Sequence, residues 1–257
     1  MTLLQMQEPV PYAVAKWSQW ACTIQKPDEF YANRFGEINA QLAAVRADIK
    51  YRNITDPSAV ATALLPFDNE LESWSNRIPM EWKPKLYRRL QDDASQSIHE
   101  DLDSQYEAYP DLWVASMWNN YRVVRILIHE TIMSITLKYG TPEQKANLQP
   151  SVDLLREMTT QVCRSVAFHL GTQQHRKSMA SIDAIPGGYL LAWPLFLAGM
   201  LRTTPRAQRQ WMASRMHHIA VTMGLRLAHS FAEALQIPTD GSFSDPEFWI
   251  MGGFWPQ

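Results

Sequence analysis

Residues 110–140 read PDLWVASMWNNYRVVRILIHETIMSITLKYG, and this stretch decides the fold class. Pro110 suits the first turn of a helix, because the N–H that proline lacks would have no partner there. Asp111 places a negative charge at the positive end of the helix dipole, and Gly140 is a residue that commonly follows the last turn. The stretch therefore predicts one long helix from Pro110 to Tyr139.

The predicted helix is apolar on nearly every side. At 100° per residue, one face carries Leu112, Ala115, Trp118, Ile126, Met133 and Leu137, while Val124, Leu127, Ile128 and Ile135 cover much of the opposite face. A helix that is apolar nearly all round is enclosed by other helices. The stretch thus predicts the central helix of a multi-helix globular domain.

Helix signals also recur on both sides of this stretch. Helices are predicted at Glu29–Lys50, from Pro57 to just before Pro79 with a bend at Pro66, from Pro150 to Gly171, from Gly188 to Leu201 with a kink at Pro194, and beyond Pro205 with a break near Gly224. Alternation of apolar and polar residues over five or more positions is hard to find, so the fold class is predicted to be all-α. Residues 178–188 are predicted to form a loop, with Gly187 and Gly188 in a turn.

The chain length of 257 residues is sufficient for one substantial helical core. We expect a single domain over residues 1–257. The region 92–104 is polar and acidic, which predicts a flexible linker there.

Composition excludes several classes of protein. Hydrophobic residues make up 46% of the chain and charged residues 19%, which is typical of a globular protein. The net charge of −2 gives no general attraction to phosphate backbones, so we expect no direct DNA binding by this chain alone. Cys22 and Cys163 are the only cysteines, which predicts neither a disulfide framework nor a four-cysteine metal site. The scarcity of cysteines fits an intracellular protein. With no signal peptide and no apolar run of about 20 residues, we expect it to lie outside the membrane. No phosphate- or dinucleotide-binding motif occurs, so we expect no cofactor.

Candidate catalytic residues form no recognisable motif. His129-Glu130 lacks the second histidine, one turn later, that the helix of a zinc protease needs. Cys163 and His169 are six residues apart on a predicted helix, which places their side chains on different faces. We therefore assign no catalytic residue.

Three ionisable residues, Arg122, His129 and Glu130, fall within or beside one apolar face of the predicted central helix. Because buried ionisable groups need partners, these residues indicate a structural hydrogen-bond network, the polar floor of a small-molecule pocket, or, as a third alternative, catalysis. A pocket would also need aromatic walls. The candidate ligand-binding residues are therefore Trp118, Tyr121, Arg122, His129, Glu130 and Trp193.

A basic run, formed by Lys83, Lys85, Arg88 and Arg89, lies just before the acidic region. Such a run is interpreted either as a solvated connector or as a nuclear import signal or phosphate contact. The sequence leaves these alternatives open.

Several segments of the chain resemble fungal zinc-cluster transcription factors. Residues 106–130, which include YPDLWVA and WNNYRVVRILIHE, look like a segment of that family. VCRSVAFHLG at 162–171, and Gly187-Gly188 followed by LAWPL at 191–195, are similar to later segments of it. LESW at 71–74, followed by Ile78-Pro79 and Trp82, resembles the approach to this region. The segments occur in the expected order and cover most of residues 64–236.

The resemblance implies a carboxy-terminal regulatory region that works in the nucleus through protein partners of transcription regulation. It also implies a role in sensing metabolites, such as those of secondary metabolism. The DNA-binding module of the family uses six closely spaced cysteines, whereas this chain has two in total. The chain is therefore interpreted as a regulatory domain apart from its zinc cluster, as a cluster-less relative in the nucleus or cytoplasm, or as a biosynthetic enzyme or small-molecule-binding protein that reuses the fold. Assembly as a homodimer is left open.

Overall fold

The computed structural model describes residues 30–88, 104–172 and 184–237, together with Gln7, Pro11 and Lys16. The helices are α1 (Phe30–Tyr51), α2 (Pro57–Arg77), α3 (Leu112–Tyr139), α4 (Pro142–Ala146), α5 (Gln149–His169), α6 (Ala184–Met200), α7 (Arg206–Met223) and α8 (Arg226–Gln236), with a short 3-10 turn at Met80–Trp82. Two strands, β1 (Lys85–Arg88) and β2 (Gln105–Ala108), form the sheet of this part of the chain. The predicted all-α class is confirmed, since helices dominate the described residues.

The helix boundaries follow the local signals in the sequence. Asp56 caps α2, because its carboxylate accepts from the backbone N–H of Ala59 at 2.9 Å, and Pro57 occupies the first helical position. Helices α5 and α7 are followed by glycines in the left-handed conformation, Gly171 at φ 67° and Gly224 at φ 66°. Only glycine adopts that conformation without strain, which explains why both predicted stops are correct.

The prediction of a loop at 178–188 is wrong over its last five residues, because α6 begins at Ala184. Gly187 and Gly188 therefore lie within a helix rather than in a turn. Each faces a close neighbour: a Cβ at position 187 would meet the backbone carbonyl of His169, and one at position 188 would lie 3.0 Å from Cε of Met223. The glycines are needed because neighbouring helices approach closely here, a tertiary requirement that local turn statistics do not contain.

We expect Gly187→Ala to lower the free energy of unfolding by about 1–3 kcal/mol, the range typical of overpacking. The added methyl group would come within 2.9 Å of the carbonyl carbon of His169 and closer still to its oxygen, so backbone has to move. Denaturant unfolding measures the change. Gly36→Ala is the matched control, because nothing lies within 4 Å of its Cβ position on α1 and alanine favours a helix by up to about 1 kcal/mol. If Gly187→Ala lowers the free energy of unfolding no more than Gly36→Ala changes it, the close contact of α6 with the carbonyl group of His169 is contradicted.

The two-stranded sheet was missed by the sequence analysis. Strands β1 and β2 are antiparallel, with Lys85 opposite Ala108 and Arg88 opposite Gln105. Each strand has four residues, which is too short for the alternation of apolar and polar residues to be recognised. The predicted linker at 92–104 lies outside the described residues, apart from Ser104.

The described residues form two compact units. The first unit comprises residues 30–78 and 127–152, and the second comprises residues 79–88, 104–126, 153–172 and 184–237. Residues of α3 up to Ile126 belong to the second unit and those from Leu127 to the first. Each unit has its own buried apolar core.

In the first unit, α1 packs against α2. The rings of Phe35 and Trp74 lie 4.9 Å apart, and the indole N–H of Trp74 donates to the carbonyl oxygen of Tyr31 at 2.8 Å. Leu42 of α1 and Leu64 of α2 are fully buried. Burial of large apolar side chains on this scale is the main force that holds such a helix pair together.

Arg46 on α1 is a buried cation that also joins α1 to α3. Its Nη1 donates to the carbonyl oxygen of Leu127 at 2.7 Å and to the hydroxyl of Thr131 at 2.6 Å. Burial lowers the pKa of Arg46 to about 10, which leaves it charged at neutral pH.

In the second unit, α6, α7 and α8 pack against one another. The rings of Phe196 on α6 and Phe231 on α8 are stacked with their centroids 4.0 Å apart. Trp211, Met212 and Met216 of α7 are buried on the same core. Among the described residues, no helix has both the length and the continuous apolar character that a bilayer crossing requires.

Candidate functional site

Arg122 on α3 is the centre of a buried polar cluster in the second unit. Its side chain is fully buried, and Nη2 donates to the carboxylate of Glu107 at 2.5 Å. Nη1 donates to the hydroxyl of Tyr109 and to Oδ1 of Asn119, both at 2.9 Å, and Nε donates to Oε1 of Gln161 at 3.2 Å. The guanidinium group of Arg122 thus donates hydrogen bonds to acceptors on strand β2, on the turn after it, on α3 and on α5.

The electrostatics of this cluster centre on the ion pair of Arg122 and Glu107. Burial by itself opposes the charge on Arg122, but the attraction of Glu107 and the hydrogen bond with Tyr109 outweigh it, so the pKa of Arg122 is raised. The hydroxyl of Tyr109 donates to Glu107, and burial raises its pKa as well. Arg122 therefore stays a cation, and Tyr109 stays a neutral phenol, at any ordinary pH.

The cluster continues from Asn119 to α5. The amide of Asn119 donates to the hydroxyl of Ser165 at 3.0 Å and lies 3.5 Å from Nε2 of His169. Nδ1 of His169 lies 3.0 Å from the carbonyl oxygen of Ser165, so that nitrogen carries the proton and donates it. We name the set of Glu107, Tyr109, Asn119, Arg122, Gln161, Ser165 and His169 the Arg122 cluster.

His169 is held neutral within the Arg122 cluster. Burial lowers its pKa to about 4, with the positive charge of Arg122 acting in the same direction and the hydrogen bond to Ser165 opposing it. The hydroxyl of Ser165 donates to the carbonyl oxygen of Val162 at 2.7 Å. Ser165 and His169 are therefore not arranged as a nucleophile with its base, because the serine proton is directed at backbone instead.

The aromatic residues proposed for a pocket have partners of their own in the second unit. Trp118 donates its indole N–H to the carbonyl oxygen of Trp82 at 2.7 Å, and the hydroxyl of Tyr121 accepts from Nη1 of Arg125 at 3.0 Å. Both side chains are buried. They fix the local packing of α3.

Trp193 lies on α6, next to the two stacked phenylalanines. Its ring centroid is 6.0 Å from that of Phe196 and 6.2 Å from that of Phe231. Its Nε1 is buried and has no hydrogen-bond partner among the described residues. A buried donor without an acceptor is unfavourable, and Trp193 shares this feature with Trp211 of α7.

The remaining two predicted residues, His129 and Glu130, belong to the first unit. His129 is buried; its Nδ1 lies 3.0 Å from the hydroxyl of Ser151, and its Nε2 lies 3.3 Å from a carboxylate oxygen of Asp68, without hydrogen-bond geometry. Glu130 is half-buried and accepts from the hydroxyl of Ser134 at 3.0 Å. Arg122 and His129 thus have separate sets of partners, although both are buried as their position on the helix suggests.

Sequence reasoning missed most of the Arg122 cluster. Asn119 lies one helical turn before Arg122, a spacing that could have identified it. Glu107 and Tyr109 precede the helix, in a strand and a turn for which no periodic signal exists. Among the described residues, no group of three or more histidine, cysteine, aspartate or glutamate side chains is placed to hold a metal ion.

Comparison with known proteins adds one relative. Over 142 residues the chain is 26% identical to a protein of Emericella nidulans named Transcription factor dbaG. The chain is related to a fungal transcription factor. The matched segment covers 52% of this chain and 33% of the relative, so the chain spans about a third of that protein's length.

No family model and no solved structure matches the chain. The similarity to the Emericella nidulans protein confirms the predicted resemblance in part, as a relationship to a fungal transcription factor. The assignment to the regulatory region, and its separation from a zinc cluster, stay predictions.

Proposed function

We propose that this chain is the regulatory domain of a fungal transcription factor and acts through protein contacts, without a DNA-binding module of its own. The observation that carries the proposal is the 142-residue similarity to a transcription factor. The matched segment covers only 33% of the relative, which fits a protein in which a region of this kind is joined to others.

The hydrogen bonding of the Arg122 cluster supports a structural rather than a catalytic role for these residues. The guanidinium of Arg122 uses Nε, Nη1 and Nη2 on protein acceptors, and Glu107 already accepts from both Arg122 and Tyr109. A group whose hydrogen-bond donors and acceptors are used in this way holds helices in position, and few of those donors and acceptors remain for binding a substrate. The cluster is therefore a scaffold for the second unit.

A tethering experiment tests the proposal. The chain is fused to a heterologous DNA-binding domain, and a reporter gene behind the matching operator is measured in a filamentous fungus. We expect reporter output to change several-fold relative to the DNA-binding domain alone, because a tethered regulatory domain recruits its partners to the promoter. A fusion carrying Arg122→Ala is the control for a disrupted fold and should lose the effect. Unchanged reporter output from a folded fusion, present at the same level, would overturn the proposal.

The proposal includes a small-molecule effector, and of the predicted pocket residues we assign it to Trp193 in the second unit. Its buried N–H has no acceptor among the described residues, and the acceptor of a bound ligand would remove that penalty. The aromatic rings of Phe196 and Phe231 beside it supply apolar contacts.

A further inference from the structure

Strand β1 is exposed along its whole length. All four of its residues are open to solvent, whereas Tyr106 and Glu107 of β2 are buried. Among the described residues, β1 pairs with β2 alone, so one edge of β1 has backbone N–H and C=O groups directed away from the sheet. An accessible edge of this kind is a template for another strand.

The surface around this edge is both basic and apolar. We define the edge patch as Met80, Lys85, Leu86, Arg88 and Trp113. Leu86 is 55% exposed, Trp113 is 53% exposed and Met80 is 74% exposed. The ring of Trp113 contacts that of Trp82, three residues before β1, at 5.4 Å, which places it beside the start of the strand.

The charge of the patch is opposite to that of the chain. Lys85 and Arg88 of β1 are both exposed and carry positive charges, in a chain whose net charge is −2. The edge patch therefore attracts an acidic partner.

We propose that the edge patch binds an extended acidic segment of a partner protein, which adds a third strand to the sheet beside β1. The order of side chains in β1 is basic, apolar, apolar, basic, at Lys85, Leu86, Tyr87 and Arg88. Directly opposite residues interact most strongly in a sheet. The residues of the partner segment that lie opposite β1 are therefore acidic, apolar, apolar and acidic, in that order. Because this order is the same from either end, the segment can pair with β1 in a parallel or an antiparallel direction.

Other occupants of the edge fit less well. A second copy of β1, paired antiparallel in the symmetric register, would place Lys85 opposite Arg88 at both ends, and like charges directly opposite one another are destabilising. A nucleic acid would satisfy the positive charges but has no peptide groups for the open edge. The proposal rests on the proposed function, since it names the chemistry of a protein partner.

Fluorescence anisotropy tests the proposal with a fluorescein-labelled peptide that has the core Glu-Val-Phe-Glu and the purified chain at low ionic strength. We expect saturable binding, no binding of the matching Lys-Val-Phe-Lys peptide, and loss of binding when alternate backbone nitrogens of the acidic peptide are methylated. The Lys85→Glu/Arg88→Glu double variant should bind about ten-fold more weakly or worse, because two attractive cross-strand pairs become repulsive. Its fold should be retained, since both residues are exposed.

The matched control is Arg206→Glu/Arg226→Glu, which makes the same change of charge at two exposed residues of α7 and α8. We expect it to bind the acidic peptide as the unaltered chain does. Equal weakening by both double variants, unchanged binding by Lys85→Glu/Arg88→Glu, or equal binding of the methylated peptide would each overturn the proposal. So would a dimer in sedimentation that the β1 variant abolishes, or tighter binding of single-stranded RNA than of the peptide. These binding measurements do not depend on the reporter assay. A negative reporter result would therefore count against the proposed function, and a negative binding result would count against the edge patch alone.

Discussion

Arg122→Ala is expected to lower the free energy of unfolding by about 3–5 kcal/mol, the loss typical of removing one partner from a buried ion pair. The variant leaves the carboxylate of Glu107 buried without its cation, and it removes hydrogen bonds from Tyr109, Asn119 and Gln161. Urea unfolding followed by circular dichroism measures the change. Arg156→Ala is the matched control, because Arg156 is exposed on α5, and we expect a loss below about 0.5 kcal/mol there.

A second variant keeps this prediction testable if Arg122→Ala does not fold. Arg122→Met/Glu107→Gln removes both charges together and should be more stable than Arg122→Ala, because no buried charge is left without a partner. A loss below about 0.5 kcal/mol for Arg122→Ala would mean that the cluster does not hold the second unit together. Equal instability of the single and double variants would mean that side-chain volume, rather than charge, decides the effect.

Stability is also expected to fall as the pH falls, because of His169. Its pKa of about 4 in the folded chain lies below the ordinary value of 6.5, so below pH 6.5 the unfolded chain takes up a proton that the folded chain does not. The stabilising contribution is complete above pH 6.5 and is lost progressively down to about pH 4. Its size between pH 7 and pH 4 is on the order of 3 kcal/mol, from the difference between the two pKa values.

Urea unfolding at the two pH values, compared between the unaltered chain and His169→Gln, isolates this effect from the titration of carboxylates. Between pH 7 and pH 4, we expect the free energy of unfolding of the glutamine variant to fall by on the order of 3 kcal/mol less than that of the unaltered chain. His218→Gln, which removes an exposed imidazole from α7, should behave like the unaltered chain. The same pH dependence in His169→Gln and the unaltered chain would show that His169 is not held neutral by burial.

Part of the candidate site could be predicted from sequence. Arg122 was identified because a charged residue on the apolar face of a helix must have partners, and the structure supplies them in Glu107 and Tyr109. The partners themselves were not identified, since pairing across 13 or 15 positions depends on how the chain returns to the helix. Local patterns carry no information about that return path.

The sequence by itself determined the all-α class, the central helix and most helix ends, because periodicity, proline and glycine act within one or two turns of the chain. The capping of α2 by Asp56 and the left-handed Gly171 are examples of such local control. Only the tertiary structure decided that Gly187 lies inside a helix, that β1 and β2 pair, and that Arg122 and His129 have separate partners. The physical reason is that close packing, strand pairing and the burial of charge join residues far apart in the chain, and their energies depend on distances that only the folded chain defines.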